Sequence, residues 1–130
     1  MEVRTAASPK DVKHYTTERL REEFLIPSVF CKDEIKLVYS HNDRIIVGGI
    51  MPVERKLMLT AAEYFLQRRE LGVINSGGPG YVTVDGKIWE IDSRDGIYIG
   101  MGNRELCFES KDRKNPAKFY LNSAPAHQSY

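Results

Sequence analysis

From residue 29 to residue 122, apolar and polar positions mostly alternate with a period of two. Ile35, Leu37 and Tyr39 share one parity, and a second apolar run resumes at Ile45 after the polar turn at residues 41–43. A period of two is the pattern of β-strands with one buried face. Further runs at residues 104–110 and 117–122 complete about ten short strands, at the close spacing typical of an all-β sandwich or barrel.

The clearest local signal lies in the glycine-rich stretch at residues 64–100. Residues 81–84 and 87–91 are β-branched and aromatic runs separated by Asp85-Gly86, a dipeptide that accepts positive φ at both positions of a two-residue turn. The sequence therefore predicts a hairpin here. A third strand, residues 97–99, is predicted to follow Asp95-Gly96.

The alternation is preceded by one helical segment at residues 17–25. Thr16 or Thr17 is a suitable N-cap, Leu20 and Phe24 fall four apart on one face, and Pro27 ends the segment. We expect an N-terminal arm at 1–16 that gains order only by docking, a barrel at 17–122, and a tail or linker at 123–130. Residues 53–60 favour a strand followed by a helical turn, with a continuous helix as the alternative.

Composition narrows the class of protein. The 130 residues are 42% hydrophobic and 28% charged, which is typical of a single globular domain. A formal charge of +1 gives no field that favours nucleic acid or an anionic membrane. No apolar run reaches the length of a signal peptide or a membrane span, so we expect a cytoplasmic protein. Cys31 and Cys107 form no CxxC pair and are predicted to be reduced core residues.

Self-contained catalytic chemistry has little support in the sequence. His14, His41 and His127 are far apart and form no His-x-His or His-x3-His pair, so no metal site is predicted within this chain. No Gly-x-Ser-x-Gly motif is present. The glycines at residues 77–80 resemble a phosphate loop only in composition, because a strand rather than a helix follows them.

Three arginines are the candidate substrate-binding residues. Arg44, Arg68 and Arg69 lie at strand ends, where the mouth of a barrel is expected, and a guanidinium there can bind a carboxylate of a ligand or of a neighbouring subunit. The simpler interpretation is structural: an intramolecular ion pair between Arg44 and Glu70 that joins two strand ends.

Four aromatic residues form a second candidate site. Tyr39, Tyr64, Trp89 and Tyr98 could line a platform for a sugar ring, while the alternation favours core or interface positions for most of them.

Several long phrases carry a family resemblance. Residues 39–52 (YSHNDRIIVGGIMP), 64–78 (YFLQRRELGVINSGG), 116–120 (PAKFY) and 124–127 (APAH) closely resemble the first half of the bacterial 5-keto-4-deoxyuronate isomerases. The resemblance runs from about Arg21 to the last residue. Ungapped phrases of this length are far more specific than a short motif.

The resemblance implies a cupin-like double-stranded β-helix barrel, the first of two in a longer chain that assembles into homo-hexamers. Members of the family act in pectin breakdown. They interconvert 4-deoxy-L-threo-5-hexosulose uronate and its ketol isomer by moving a proton between adjacent carbons through an enediol. Their zinc, held by a His-x-His, a Glu and a later His, is implied to lie in the second barrel, so no metal ligand is carried over to this chain.

We therefore expect the N-terminal cupin domain of a uronate ketol-isomerase. It would provide architecture and subunit contacts and be inactive alone, because the metal site lies in the absent C-terminal barrel. The alternative is a stand-alone, non-catalytic cupin module that binds a sugar acid or mediates assembly. Residues 53–63 are shorter than the usual connection in the family, which predicts a truncated loop over one mouth of the barrel.

Overall fold

The structure is a computed structural model that describes residues 1–42, 44–59 and 66–127. Within these residues the strands are β1 (Glu2–Arg4), β2 (Ile35–Ser40), β3 (Ile45–Ile50), β4 (Leu57–Leu59), β5 (Arg69–Asn75), β6 (Gly80–Val84), β7 (Lys87–Ile91), β8 (Gly96–Ile99), β9 (Leu106–Ser110) and β10 (Phe119–Pro125). The helices are α1 (Pro9–Val12) and α2 (Thr17–Phe24). The predicted all-β class and the number of strands are confirmed.

The strands form two sheets. One has the order β1-β2-β3-β10-β5-β8 and the other the order β4-β9-β6-β7. All pairs of strands are antiparallel except β1 with β2. Because β10 lies between β3 and β5, the last strand joins the two halves of the larger sheet. Such non-local pairing closes a double-stranded β-helix around one core.

The core lies between the inner faces of the two sheets. The rings of Phe108 and Phe119 meet at its centre, with centroids 5.4 Å apart and planes inclined at 55°. Leu71, Val73 and Leu121 extend the same layer and are at most 1% exposed. Each such side chain contributes about 1.5–3 kcal/mol by its burial. The period-two pattern therefore identified the inward positions correctly.

The predicted hairpin is confirmed as β6–β7. Asp85 and Gly86 have φ values of 47° and 85°, so both turn positions occupy the left-handed region, as a type I′ turn requires. The Asp85 carboxylate also accepts hydrogen bonds from the backbone N–H groups of Arg104 (2.9 Å) and Glu105 (2.7 Å). One residue thus makes the turn and fixes the loop before β9.

Gly49 marks a close approach of the N-terminal segment to the outer face of β3. A Cβ atom at this position would lie 2.5 Å from the carbonyl oxygen of Val29 and 2.8 Å from the Phe30 ring. Only a residue without a side chain allows residues 29 and 30 to cover the sheet here.

The predicted helix is confirmed as α2, and Thr16 is its N-cap, since its hydroxyl accepts from the backbone N–H of Arg19 at 3.2 Å. Its apolar face is not buried within the described chain. Leu20 and Phe24 are 38% and 45% exposed, and no residue of α2 is buried. The helix therefore forms on local signals alone.

The N-terminal arm differs from the expectation of a single helix and no strand. Strand β1 pairs in parallel with β2, placing Val3 beside Tyr39, and α1 is a second helix with Ser8 as its N-cap and Pro9 at its start. The prediction missed β1 because a three-residue strand depends on its neighbour for pairing. It missed α1 because Ser-Pro also occurs in loops, although it is a helix-start signal.

The C-terminal strand is longer than predicted. Ser123, Ala124 and Pro125 continue β10 beyond residue 122 by pairing with the first residues of β5. Tertiary pairing overrides the weak strand propensity of these residues. The division into 1–16, 17–122 and 123–130 as domain boundaries stays a prediction.

Strand β4 confirms the strand expected near residues 57–59. The helical turn and Tyr64 fall on residues 60–65, outside the described residues, as does the last part of the predicted truncated loop at residues 53–63, so both expectations stay predictions. Cys31 and Cys107 are free thiols, as expected, but are half-buried and do not lie in the core. Cys107 pairs with the exposed Met58 on the outer face of the smaller sheet, where burial raises the pKa of its thiol.

No helix in the described parts of the chain is long and apolar enough to cross a membrane.

Candidate functional site

Arg69 lies at one end of the barrel, on the inner side of the larger sheet. It is the first residue of β5 and shares the parity of the buried Leu71 and Val73. Its guanidinium donates from Nε to Ser123 Oγ (3.1 Å) and from Nη2 to the carbonyl oxygens of Ser123 (2.8 Å) and Arg44 (2.9 Å). One side chain therefore ties the start of β5 to the end of β10 and to the turn before β3.

The surroundings of Arg69 are aromatic. Its Cζ lies 5.7 Å from the centroid of the Tyr39 ring, and the His41 ring packs edge-on against Tyr39 with centroids 4.8 Å apart. Burial lowers the pKa of Arg69, and the neighbouring Tyr39 offsets part of that effect. The group still carries its charge at neutral pH, because the pKa of an arginine side chain ordinarily lies far above neutrality. It is a half-buried cation with acceptors from its own chain.

The three predicted arginines have different environments. Arg44 and Arg68 are exposed, and each accepts a hydrogen bond through its backbone carbonyl, Arg44 from Arg69 and Arg68 from the N–H of Ala126. Arg44 also has a left-handed φ of 57°. Of the three side chains, only that of Arg69 is half-buried at the barrel end.

The predicted ion pair between Arg44 and Glu70 does not form among the described residues. The Glu70 carboxylate instead accepts from the hydroxyl of Tyr98 at 2.6 Å. The reason is the strand period: Arg69 points inward, so Glu70, its neighbour in β5, points to the outer face of the sheet.

The predicted aromatic platform is divided between two places. Tyr39 lies beside Arg69, whereas Trp89 and Tyr98 line a separate cavity. That cavity, of about 620 Å³, lies between β7 and β8, the outermost strands of the two sheets on one side of the molecule. Tyr64 is outside the described residues.

Asn75 is a buried polar residue that sequence reasoning missed. It is 0% exposed, and its side chain makes five hydrogen bonds to backbone groups. Its Nδ2 donates to the carbonyl oxygens of Gly78 (2.8 Å), Ile91 (3.0 Å) and Asp92 (3.3 Å), and its Oδ1 accepts from the N–H groups of Gly77 (3.0 Å) and Lys118 (3.1 Å). The available signal was an asparagine two residues before a glycine, the pattern of an Asx turn.

The described residues do not fit a zinc site. In residues 1–42, 44–59 and 66–127 no group of three or more His, Cys, Asp or Glu side chains is arranged to hold a metal ion. His14, His41 and His127 are each exposed, and His41 packs on Tyr39.

Comparison with solved structures identifies the fold. The chain matches the cupin domain of Cnp3 from Schizosaccharomyces pombe with a TM-score of 0.51 at 12% identity, over 62% of this chain and 56% of that one. It matches the plu4264 protein of Photorhabdus luminescens equally well, with a TM-score of 0.51 at 12% identity over 62% of each chain. At this identity the likeness shows the fold alone, and it confirms the predicted cupin-like barrel.

Sequence comparison is more specific. No protein-family model matches the chain. Proteins named 4-deoxy-L-threo-5-hexosulose-uronate ketol-isomerase match all of it, at 64% identity in Lachnoclostridium phytofermentans and 56% in Lachnospira eligens, over 49% and 48% of their lengths. The chain thus spans about half the length of these relatives. Similarity at this level along the whole chain places it in the family of the 4-deoxy-L-threo-5-hexosulose-uronate ketol-isomerases.

Proposed function

We propose that this chain is the N-terminal cupin domain of a 4-deoxy-L-threo-5-hexosulose-uronate ketol-isomerase, where it provides architecture and subunit contacts. The observation that carries the proposal is 64% identity across the whole chain to about half of one such enzyme. In this proposal the zinc site lies in the other half of the enzyme, as the resemblance to the family implies.

The reaction moves one proton between adjacent carbons, which requires a positioned base and groups that stabilise the developing charge on oxygen. The barrel end does not supply this. Its charged group, Arg69, is already bound by Ser123 and by the carbonyl of Arg44. We therefore expect the chain alone to be inactive and to contribute a wall beside a reactive centre held by the other half of the enzyme.

Subunit contacts are the second part of the proposal. The surface of the described chain carries apolar side chains on α2, Leu20 and Phe24, and on the smaller sheet, Met58 and Ile88, which are 38–66% exposed. Exposed apolar side chains of this kind suit contacts in a homo-oligomer, here a hexamer. The proposed substrate is a uronate from pectin breakdown and the proposed setting is cytoplasmic. A formal charge of +1 gives no whole-molecule field that favours nucleic acid or an anionic membrane.

A second candidate function is a stand-alone, non-catalytic cupin module that binds a sugar acid or mediates assembly. The exposed apolar side chains of α2 and of the smaller sheet support the assembly role. A uronate site formed by Arg44, Arg68 and Arg69 has weaker support, because the Arg69 guanidinium is held by acceptors of its own chain.

A chimera tests the proposal. This chain replaces the matching half of the Lachnoclostridium phytofermentans enzyme, and the controls are the parent enzyme and its other half expressed alone. We expect the chimera to bind zinc and turn over 4-deoxy-L-threo-5-hexosulose uronate, and the lone half to lose activity. A folded, zinc-loaded chimera without turnover, or a lone half as active as the parent, would contradict the proposal.

A further inference from the structure

The cavity between β7 and β8 has the size and position of a small-molecule site. Its volume of about 620 Å³ lies within the range of about 300–1,000 Å³ found for ligand pockets. Among the described residues each of the two strands has a neighbour on one side only, β6 for β7 and β5 for β8. The free edges of both strands therefore offer backbone donors and acceptors at the cavity, while the inner faces supply an apolar floor of Ile91, Ile97 and Ile99.

Trp89 provides one wall of this cavity. It pairs with Val82, which is 0% exposed in the core, so its side chain is on the inner face of the smaller sheet. Because β7 is an edge strand, the indole remains 43% exposed. The ammonium of Lys87 lies 4.3 Å from the ring centroid, a cation–π contact that restrains the ring. The only tryptophan of the chain is thus a partly exposed flat surface beside the apolar floor.

Two polar side chains lie at the rim of the cavity. The Asn103 amide is held by a hydrogen bond from Nδ2 to the carbonyl oxygen of Gly100, at 2.9 Å. Asp95 is exposed, and its backbone is fixed because its carbonyl accepts from the N–H of Asn75 at 2.8 Å. An amide and a carboxylate together accept and donate hydrogen bonds, as the hydroxyl groups of a sugar require.

The charges of the cavity distinguish between classes of sugar. Its ionisable carboxyl groups belong to Asp95 and Glu90, and the Glu90 side chain is paired with Lys111 at 2.9 Å on the outer face of the sheet. Among the described residues the Asp95 carboxylate has no ion-pair partner, whereas the Lys87 ammonium is engaged with the face of the indole, so an anionic sugar held at the rim would be repelled. A pyranose without a carboxylate has an apolar C–H face for the indole and a ring of hydroxyls for the rim.

We propose that this cavity binds a neutral pyranose sugar, stacked on Trp89 and hydrogen-bonded by Asp95 and Asn103. The site goes beyond the function proposed above, since it lies in the half of the enzyme assigned to architecture and takes a ligand without the carboxylate of the substrate. The proposed site includes Trp89, one of the four residues of the predicted aromatic platform, which does not lie beside Arg69 at the barrel end.

The single tryptophan makes the test direct, because all tryptophan emission comes from the proposed site. Purified chain is titrated with the methyl pyranosides of D-galactose, D-glucose and D-mannose, and with D-galacturonate. We expect a saturable change in emission with at least one neutral glycoside at about millimolar concentration, and binding of D-galacturonate about tenfold weaker. Saturation-transfer NMR of the same mixtures detects binding that leaves the emission unchanged.

Variants locate the site. Asn103→Ala should weaken binding of the neutral glycoside about fivefold or more. Asp95→Asn removes the charge that repels a carboxylate, so the affinities for the neutral glycoside and for D-galacturonate should become more similar. Asn122→Ala is the matched control, because it removes the same kind of side chain from an exposed position on β10 that does not line the cavity, so binding should not change. If Asn103→Ala does not fold, Trp89→Phe followed by NMR takes its place. No binding by either method, equal binding of D-galacturonate, or unchanged binding in the site variants would overturn the proposal.

Discussion

At the scale of single residues, Asn75 joins three loops through one buried side chain. Asn75→Ala removes five hydrogen bonds and leaves buried backbone groups unpaired, so we expect a loss of about 3 kcal/mol or more in the free energy of unfolding. Asn122→Ala, an exposed asparagine on β10, is the control and should cost less than about 0.5 kcal/mol. Urea unfolding measures both. Equal losses would show that the hydrogen bonds of Asn75 do not stabilise the fold.

Arg69 joins strand ends, a role that the sequence analysis gave to an ion pair between Arg44 and Glu70. Arg69→Ala removes the three hydrogen bonds to Ser123 and the Arg44 carbonyl, and we expect the unfolding free energy to fall by about 1–3 kcal/mol. Arg68→Ala changes the neighbouring, exposed arginine and should stay within about 0.5 kcal/mol of the parent. An Arg69→Ala variant as stable as Arg68→Ala would mean that the guanidinium is free for a ligand.

Asp33 gives the chain a defined response to acid. Its Oδ1 accepts from the N–H groups of Val53 (2.8 Å) and Glu54 (3.0 Å), and the bond from Val53 is the main cause of its lowered pKa. The stabilisation is therefore present above the unfolded pKa of about 3.9 and is lost as the pH falls through the lower folded pKa.

Asp33→Asn tests this response without changing the backbone. Asp33 has a φ of 53°, a conformation that asparagine also tolerates. We expect the variant to be less stable than the parent at pH 7 and the difference to shrink below about pH 4, where Asp33 of the unfolded parent begins to bind a proton. Urea midpoints between pH 7 and acid measure this. A difference that is constant with pH would refute the role of the charge.

At the scale of elements, the β6–β7 hairpin depends on its turn. A Cβ atom at Gly86 would meet nothing within 4 Å, so the cost of a substitution comes from its φ of 85° alone. Gly86→Ala should destabilise the chain by about 1–2 kcal/mol, and Gly86→Asn by less, because asparagine tolerates the left-handed region. Thermal unfolding of the two variants compares them. An alanine variant as stable as the asparagine variant would contradict the type I′ assignment.

Elements with local signals were predictable from the sequence. The Asp85-Gly86 turn and the Thr16 cap specify their structures within a few residues, and both are confirmed. Strand β1 and the end of β10 were not predictable, because each exists only through a partner far along the chain. The same distinction between local and distant contacts applies to the candidate site. The sequence placed Arg69 at the end of a strand, but it could not show that the guanidinium donates hydrogen bonds to Ser123, which lies 54 residues further along the chain.

At the scale of the whole molecule, the fold is a cupin barrel, and the chain spans about half the length of the uronate ketol-isomerases reported above. The order of strands shows how the core of this barrel is enclosed. Because β10 pairs with both β3 and β5, the final strand closes the larger sheet, and the core around Phe108 and Phe119 is complete within the described chain. A barrel of this kind can provide a wall without holding the reactive centre.

The most direct test of this account is zinc content together with turnover of 4-deoxy-L-threo-5-hexosulose uronate by the purified 130-residue chain. Elemental analysis and a coupled isomerase assay are made on the same folded preparation. We expect less than stoichiometric zinc and no turnover, because the proposed role of this half is architectural and the metal ligands are proposed to lie in the other half. Stoichiometric zinc accompanied by isomerase turnover would contradict it.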